Sequence, residues 1–358
     1  MTVFKYRLES LRETLPSLQI DGLLVTNPTN IRWLSGFTGS YGRLLINQKQ
    51  AVLATDARYW IQARKEAPDY ELFKDIRRAQ DTLALLNKGG VGRVGIEANH
   101  VTLAAAEELN GIEGFTCTPL QNTVEEFRQF KNGHETSIIH AAAAITDNAM
   151  ALVPQLAKAG ICERELAWLL EKAMREAGAD GIAFPIIVAF GPNSALPHHN
   201  PGDRTLNEEE IVLVDMGAEL NGYKSDLTRS FYYGRQNDRF QTIFDLVLAA
   251  QTSALRGVCD GKKSNEVHQA AIDVIAEGGY GDYFGHGLGH GVGLDIHELP
   301  YLSVLRTPVD LSTGMIITVE PGIYLQEWGG VRIEDLVSIT DDGLEYHSNC
   351  PKEPYIHP

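Results

Sequence analysis

An Asn-Gly pair between two strand-like runs is the feature that most constrains the fold of this chain. Residues 211–214 form an apolar, mostly β-branched run, residues 226–231 form a second run, and Asn221-Gly222 lies between them. Two-residue hairpin loops strongly prefer Asn-Gly, because both loop positions need a positive φ. The sequence therefore predicts a hairpin that turns at this pair.

The predicted register brings two acids onto one face of the hairpin. With this two-residue loop, Asp215 pairs with Thr228, and Gly217 pairs with Asp226. Asp215 and Asp226 then lie diagonally on one face, with backbones roughly 7–8 Å apart. Two ionised carboxylates on an apolar hairpin repel each other and lose hydration unless cations or protons compensate. The pair is a candidate site for divalent metal, although acids beside turns also commonly face solvent.

The composition is that of a globular protein without a nucleic-acid or membrane surface. The 358 residues are 44% hydrophobic and 22% charged, with a formal net charge of −16 and no basic patch. Nucleic acids and anionic membranes both require a basic surface. No apolar run of 18 residues, signal-peptide core or C-x-x-C pair occurs. We expect a cytoplasmic protein that binds neither membrane nor nucleic acid.

Periodicity divides the chain into two predicted domains. Strands alternate with helices over roughly the first 120 residues, as in an α/β layer domain. Two helix pairs follow, at residues 136–158 with 163–178 and at residues 239–256 with 264–278. Each pair precedes a polar loop and a strand pair, which suggests a twofold pseudo-repeat. We predict an α/β domain over residues 1–127 and an α+β domain over residues 128–358.

A glycine-rich loop carries three histidines in the second half of the larger domain. Residues 285–298 read GHGLGHGVGLDIHE and contain His286, His290 and His297. Glycine lets the backbone approach a ligand closely, and neutral imidazole is the commonest metal ligand. Three histidines within such a loop indicate a site rather than isolated structural residues.

Two further acids follow in strand contexts that disfavour a bare charge. Glu320 ends an apolar strand before a Pro-Gly turn, and Glu334 is expected in the middle of a return strand at residues 331–339. Together with the hairpin pair they make four carboxylates and at least one imidazole. This ligand set suits Mn²⁺, Co²⁺, Fe²⁺ or Zn²⁺ in a two-metal site with ions roughly 3.5–4 Å apart.

These residues, in this order, resemble the five ligands of the pita-bread metallopeptidases, the family of methionine aminopeptidase, aminopeptidase P and prolidase. Their flanking strings are N-G-Y, S-D-x-T-R, G-H-G-x-G, E-P-G and R-I-E-D, and the five residues are Asp215, Asp226, His290, Glu320 and Glu334. The resemblance covers residues 127–343. It implies a pita-bread (creatinase/aminopeptidase) catalytic domain, preceded by a smaller creatinase-like α/β domain.

The resemblance also implies a role for each ligand. Asp215 would bind one ion, and His290 and Glu320 would bind the other. Asp226 and Glu334 would bridge the two ions, with Mn²⁺ as the first choice of metal. A hydroxide held between the ions would be the nucleophile, because a bound metal lowers the pKa of water.

Other residues match family positions around the substrate. Glu320 would carry a proton to the leaving nitrogen, while His198 and His297 would steady the tetrahedral intermediate. Two residues would lie near the substrate pocket, His286 and Arg332. His199 has no clear counterpart in the family and is expected to be a solvated loop histidine.

The length of the substrate is the least determined property. An N-terminal domain of this size is typical of the proline-specific branch, and residues 36–40 and 55–59 resemble aminopeptidase P. Against this, the segment around Arg306 resembles the part of some prolidases that binds the terminal carboxylate. Tyr301 and Leu336 depart from the residues that many relatives carry. We predict an Xaa-Pro aminopeptidase acting on peptides with proline second, with an Xaa-Pro dipeptidase as the alternative.

Two other classes remain more distant alternatives. A creatinase-like amidinohydrolase would share the fold, but that branch of the family lacks the five ligands. A non-catalytic binding module would not need them, so the five ligands oppose both alternatives. By analogy with the proline-specific relatives, we also expect a homodimer.

Overall fold

The computed structural model describes residues 2–76 and 79–357 of the chain. It separates into two units, Met1–Arg128 and Gln129–Pro358. The terminal residues of the predicted domains, Met1 and Pro358, lie outside the described residues. An α/β unit followed by a larger α+β unit is the predicted architecture, which is confirmed.

The N-terminal unit is built on one mixed sheet of six strands in the order β4-β3-β2-β1-β5-β6. Its strands are β1 (Gly22–Val25), β2 (Arg43–Asn47), β3 (Ala51–Thr55), β4 (Glu71–Lys74), β5 (Arg93–Glu97) and β6 (Thr116–Leu120). Its helices are α1 (Val3–Thr14), α2 (Pro28–Ser35), α3 (Trp60–Glu66), α4 (Ala79–Gly89), α5 (Leu103–Asn110) and α6 (Glu125–Arg128). The pairs β1/β5, β5/β6 and β3/β4 are parallel, and helices make the crossovers that parallel strands require.

Four elements of this unit were not predicted from the sequence, namely α2, α5, α6 and β6. The signals for α2 are nevertheless present in the sequence. The Asn27 side chain accepts from the backbone of Thr29, Pro28 occupies the first helical turn, and Gly36 ends the helix with φ +80°. Such an N-cap, an early proline and a terminal glycine delimit a short helix.

The C-terminal unit combines five helices with fourteen strands among the described residues. The helices are α7 (Gly133–Met150), α8 (Val153–Leu156), α9 (Glu163–Glu176), α10 (Asp238–Gly257) and α11 (Ser264–Glu277). The strands are β7 (Gly181–Ile182), β8 (Ile187–Phe190), β9 (Glu210–Met216), β10 (Ala218–Leu220), β11 (Tyr223–Lys224), β12 (Leu227–Tyr233), β13 (Gly289–Gly291), β14 (Glu298–Leu302), β15 (Ile316–Val319), β16 (Gly322–Leu325), β17 (Gly329–Arg332), β18 (Asp335–Thr340), β19 (Gly343–Tyr346) and β20 (Tyr355–Ile356).

Each half of this unit packs a helix pair against a mainly antiparallel sheet, in which only the β12/β20 pair of the first half is parallel among the described strands. In the first half, Leu166 and Leu170 of α9 join a core with Val212 and Val214 of the sheet β20-β12-β9-β8. In the second half, α10 and α11 cover the sheet β14-β13-β15-β18-β19. Small sheets β11-β10-β7 and β16-β17 complete the unit. In each half a helix pair precedes the strands of its sheet, except that β20 joins the first sheet from beyond the second half.

The hairpin has the predicted register. Asp215 pairs with Thr228 across β9 and β12, and the loop residues Asn221 and Gly222 have φ values of +48° and +77°. Both loop residues thus adopt the left-handed conformation that Asn and Gly tolerate best.

Two element predictions were wrong in detail. The predicted helix at residues 136–158 is interrupted after Met150, and α8 continues in a separate turn that starts at Val153-Pro154. The predicted strand at residues 331–339 is two strands, β17 and β18, which pair with different partners. Glu334 therefore lies between two strands rather than in the middle of one.

Helix α7 and the turn after it are unusually apolar. Within the segment Gly133–Leu156, a stretch of 18 residues has a mean hydropathy of 1.2, so the segment is long enough and apolar enough to cross a membrane by length and composition. Core helices of globular proteins meet the same criteria. Here α7 buries Ile139, Ala142 and Ala143 and packs against α9 and β10.

Candidate metal centre

The C-terminal unit contains a cavity of about 610 Å³ that gathers every site residue predicted from the sequence. These ten residues come from both halves of the unit and from seven separate stretches of chain. They are His198, Asp215, Asp226, His286, His290, His297, Arg306, Glu320, Arg332 and Glu334. A cavity of this size with convergent polar groups has the form of a ligand-binding site.

The hairpin supplies two of the acids from buried strands. Asp215 lies near the end of β9, and Asp226 immediately precedes β12, so the register of the hairpin turns both toward the cavity. Asp226 is 5% exposed and Asp215 is 9% exposed. Carboxylates this deeply buried require protons, donors or cations.

His290 faces the acids with its ring oriented by the backbone. Its Nδ1 lies 3.1 Å from the carbonyl oxygen of Gly291, which can only accept, so Nδ1 carries the proton. Nε2 lies 3.7 Å from Asp226 Oδ2 and 3.4 Å from Glu320 Oε1. With Nε2 unprotonated, its lone pair points at the carboxylate oxygens, an arrangement that a cation between them would stabilise.

Glu334 reaches the same point from the break between β17 and β18. Its Oε2 accepts a hydrogen bond of 2.7 Å from Thr228 Oγ1, and its backbone nitrogen donates to the Thr228 carbonyl. Ligand atoms of Asp226, His290 and Glu334 all lie within 4.8 Å of one another. This spacing suits three groups that share an ion.

The electrostatics of the acids also favour bound cations. Burial, reinforced by Glu334 and Asp215, raises the pKa of Asp226 well above its usual range. Burial together with the charges of Glu320 and Asp215 raises the pKa of Glu334 in the same way. Asp215 Oδ1 and Glu334 Oε1 are buried and accept no hydrogen bond from any residue in the described part of the chain. Oxygen atoms left without donors beside an imidazole lone pair fit divalent metal ions.

A network of buried hydrogen-bonded side chains binds the Oδ2 atom of Asp215. Arg332 donates to Asp215 Oδ2 at 2.7 Å and to the Tyr324 hydroxyl at 2.9 Å. His286 Nδ1 lies 2.8 Å from the Gly287 carbonyl and Nε2 lies 2.9 Å from Tyr324, so Tyr324 donates to the neutral ring. Burial lowers the pKa of His286 and raises that of Tyr324 to about 12, which keeps both groups neutral.

Tyr324 is a site residue that sequence reasoning missed. Its position four residues after Glu320, in the same E-P-G-containing segment, was the available signal. A tyrosine near a strand end has many roles, however, and only the fold brings its hydroxyl to Arg332 and His286.

The remaining polar residues lie toward solvent. His198 and His297 are exposed on the cavity wall, and the His297 ring meets the His290 ring at 4.3 Å between centroids. Arg306 is exposed and stacks on Tyr301, with its guanidinium carbon 5.2 Å from the ring centroid. Among the described residues, no acid pairs with Arg306. These three side chains are available to a ligand.

The expectation that His199 is a solvated loop histidine was wrong. Its Nε2 lies 2.8 Å from Oε2 of Glu163, and the two side chains are 13% and 0% exposed. The sequence offered no signal for this pair, because Glu163 lies 36 residues away, in the first turn of α9.

Comparisons with known proteins match both units. The profile of "Metallopeptidase family M24" matches residues 137–341, and that of "Creatinase/Prolidase N-terminal domain" matches residues 7–130. A curated Xaa-Pro dipeptidase of Pyrococcus furiosus is 34% identical over 98% of this chain and 99% of its own.

Two solved structures are similar over nearly the whole chain. An Xaa-Pro dipeptidase from Bacillus anthracis superposes with a TM-score of 0.96 and 36% identity, covering 99% of this chain and 100% of that one. An X-Pro aminopeptidase from Thermotoga maritima has a TM-score of 0.88 and 32% identity, covering 98% and 100%.

Proposed function

The chain belongs to metallopeptidase family M24, and from this premise we propose that it hydrolyses the bond between a first residue and a following proline. Membership confirms the resemblance carried by the five motif strings, and it makes the protein a hydrolase. The observation that carries the proposal is the single cavity that gathers four buried carboxylates, His290 and the exposed His198 and His297.

We propose that the cavity holds two divalent ions, with Mn²⁺ as the first choice and Co²⁺, Zn²⁺ or Fe²⁺ as the others. The ligands would be Asp215, Asp226, His290, Glu320 and Glu334, whose four negative charges balance two dications. Bound divalent metal polarises a peptide carbonyl and makes a water molecule acidic enough to serve as nucleophile near neutral pH.

The protein's own groups would then act on the substrate from the cavity wall. His198 and His297 offer ring N–H donors at its exposed side, where the carbonyl oxygen gains charge during reaction. Glu320, which has an oxygen 3.4 Å from Thr318 Oγ1, would carry a proton at its carboxylate to the leaving proline nitrogen. Arg332 would hold Asp215 in place through its buried hydrogen bond.

The lead candidate is an Xaa-Pro aminopeptidase, because among the described residues that line the cavity no firmly held cation is free to bind a terminal carboxylate. Arg332 is committed to Asp215 and Tyr324. Arg306 has no acidic partner in the described part of the chain but lies on an exposed loop. An open C-terminal side would then admit longer peptides.

The second candidate is an Xaa-Pro dipeptidase, and Arg306 favours it. A guanidinium at the cavity edge, stacked on Tyr301 and not paired with an acid, can bind a carboxylate with two parallel hydrogen bonds. The names of the Pyrococcus and Bacillus relatives point the same way.

Substrate length separates these candidates. We would measure kcat/KM for Ala-Pro, Ala-Pro-Ala and a longer Ala-Pro peptide, with Ala-Ala as the control for proline. Equal or faster cleavage of the longer peptides is expected for the aminopeptidase. Strict cleavage of dipeptides that weakens in Arg306→Ala, but not in the exposed control Arg235→Ala, identifies the dipeptidase. Cleavage of Ala-Ala as fast as Ala-Pro contradicts both.

We further propose that residues 1–127 form a creatinase-like domain and residues 128–358 the catalytic domain of a cytoplasmic homodimer. The profile matches at residues 7–130 and 137–341, and the division of the structure between Arg128 and Gln129, support a boundary near this point. The dimer rests on analogy with the proline-specific relatives. Light scattering at micromolar concentration tests it, and the mass of a monomer contradicts it.

A further inference from the structure

The loop that carries His198 is held by hydrogen bonds to one buried carboxylate, that of Glu163. The loop runs from Gly191 to Gly202, between β8 and β9. At its two ends, the backbone nitrogens of Phe190 and Gly202 donate to Glu163 at 2.9 Å and 3.0 Å. Glu163 therefore closes the base of the loop.

The same carboxylate also binds the middle of the loop through two side chains. Asn193 Nδ2 donates to Oε1 at 2.9 Å, and His199 Nε2 donates to Oε2 at 2.8 Å. Each oxygen of Glu163 thus accepts two hydrogen bonds. Burial would raise the pKa of Glu163, but these donors lower it, so the group is a fully satisfied anion.

His198 depends on this anchoring because its own ring is not held. The ring is exposed on the cavity wall and makes no hydrogen bond with any residue that the structure describes. The orientation of the His198 ring therefore depends on its backbone. The next residue along that backbone is His199, which is hydrogen-bonded to Glu163. Arg332 adds a longer contact of 3.4 Å to the carbonyl of Pro197.

We propose that Glu163 and His199 form a positioning pair that holds the backbone beside His198, so that the His198 ring faces the scissile bond. The proposal rests on the proposed function, since it gives His199 a role only through the role of His198. It treats His199 as a positioning residue that need not touch the substrate. Small displacements of catalytic groups cost much more rate than stability.

The experiment uses four variants of the full chain, namely His199→Ala, His199→Gln, His198→Ala and the double variant His198→Ala/His199→Ala. Gln is the conservative test because its amide nitrogen occupies about the place of Nε2 and donates to a carboxylate. His134→Ala, an exposed histidine in the first turn of α7, is the matched control. The readouts are kcat and KM for Ala-Pro, bound metal, and hydrogen–deuterium exchange of residues 190–202.

We expect His199→Ala to lower kcat about tenfold with unchanged metal content, since a displaced group loses rate without losing ligands. Exchange of residues 190–202 should quicken in this variant and return toward the wild-type rate in His199→Gln, which should also keep kcat within about twofold. The double variant should be no slower than His198→Ala, because the two losses share one cause.

Losses that multiply in the double variant would overturn the proposal, since His199 would then act independently of His198. Unchanged loop exchange in His199→Ala would overturn it as well. If the wild-type protein did not cleave Ala-Pro at all, the proposed function would fail, and the exchange measurement would still decide whether Glu163 and His199 anchor the loop.

Discussion

At the scale of single residues, the site is built from buried acids whose negative charges destabilise the metal-free protein. Glu334 is 2% exposed, and only one of its oxygens has a donor among the described residues, the hydroxyl of Thr228. Burial and the charges of Glu320 and Asp215 raise its pKa. A neutral side chain of the same shape would therefore suit the metal-free protein but not the metal-bound one.

Glu334→Gln should lower metal affinity and kcat by at least about 100-fold, because an amide offers neither the charge nor the second oxygen that the proposed bridging ligand supplies. In excess chelator, the variant should melt no lower than the wild type, because one repelling charge is gone. Metal analysis and calorimetry measure both effects. Glu345→Gln, an exposed acid on β19, is the control. Near-normal metal content in Glu334→Gln would remove Glu334 from the site.

At the scale of elements, the hairpin brings its strands unusually close where the two acids meet. A Cβ on Gly217 would lie 1.9 Å from the carbonyl oxygen of Ser225 and 2.9 Å from Cβ of Ala183. Backbone atoms cannot move aside as a flexible side chain can. Gly217, which the predicted register places opposite Asp226, is therefore required for this approach.

Gly217→Ala should force β9 and β12 apart and cost about 1–3 kcal/mol of unfolding free energy, as overpacking does. Metal affinity should fall with it, because Asp215 and Asp226 separate. Denaturant unfolding and chelator competition measure the two quantities. Gly257→Ala is the matched control, because its Cβ would have no neighbour within 4 Å in the described part of the chain. A Gly217→Ala protein as stable as this control would show that the hairpin is looser than the structure indicates.

At the scale of the whole molecule, bound metal and pH should act on stability together. Because the pKa values of Asp226 and Glu334 are raised, these two groups hold more protons in the folded apoprotein than in the unfolded chain. Their contribution to the free energy of unfolding therefore falls as pH rises from the ordinary carboxyl pKa of about 4 through the raised values. Divalent ions would remove this loss, because they stabilise the ionised carboxylates.

The gap in Tm between Mn²⁺-loaded and chelated protein should consequently widen between about pH 5 and pH 8. Chelation should also abolish activity, and added Mn²⁺ or Co²⁺ should restore it. Calorimetry at matched ionic strength measures the gap. A gap that stays constant over this range, with metal analysis confirming removal, would contradict cation binding at these acids.

Local rules were sufficient for the parts of the site that lie close together in the chain. The Asn221-Gly222 loop specifies the hairpin register, because the side-chain period of a strand is two and the loop length leaves no freedom to slip. That register already aligned Asp215 with Asp226. Motif strings then identified three further candidate ligands, although neither their convergence nor their spacing follows from any local pattern.

Packing between distant elements settled the rest. Glu334 reaches the cavity because the chain leaves the sheet of β17 and enters that of β18, a break with no turn signal in the sequence. The hydrogen bonds of His199 with Glu163 and of Tyr324 with His286 likewise join side chains that lie 36 and 38 residues apart in the chain. Such contacts depend on how the buried faces of helices and strands pack against one another. A single sequence indicates which face of each element is buried, but not which faces pack together.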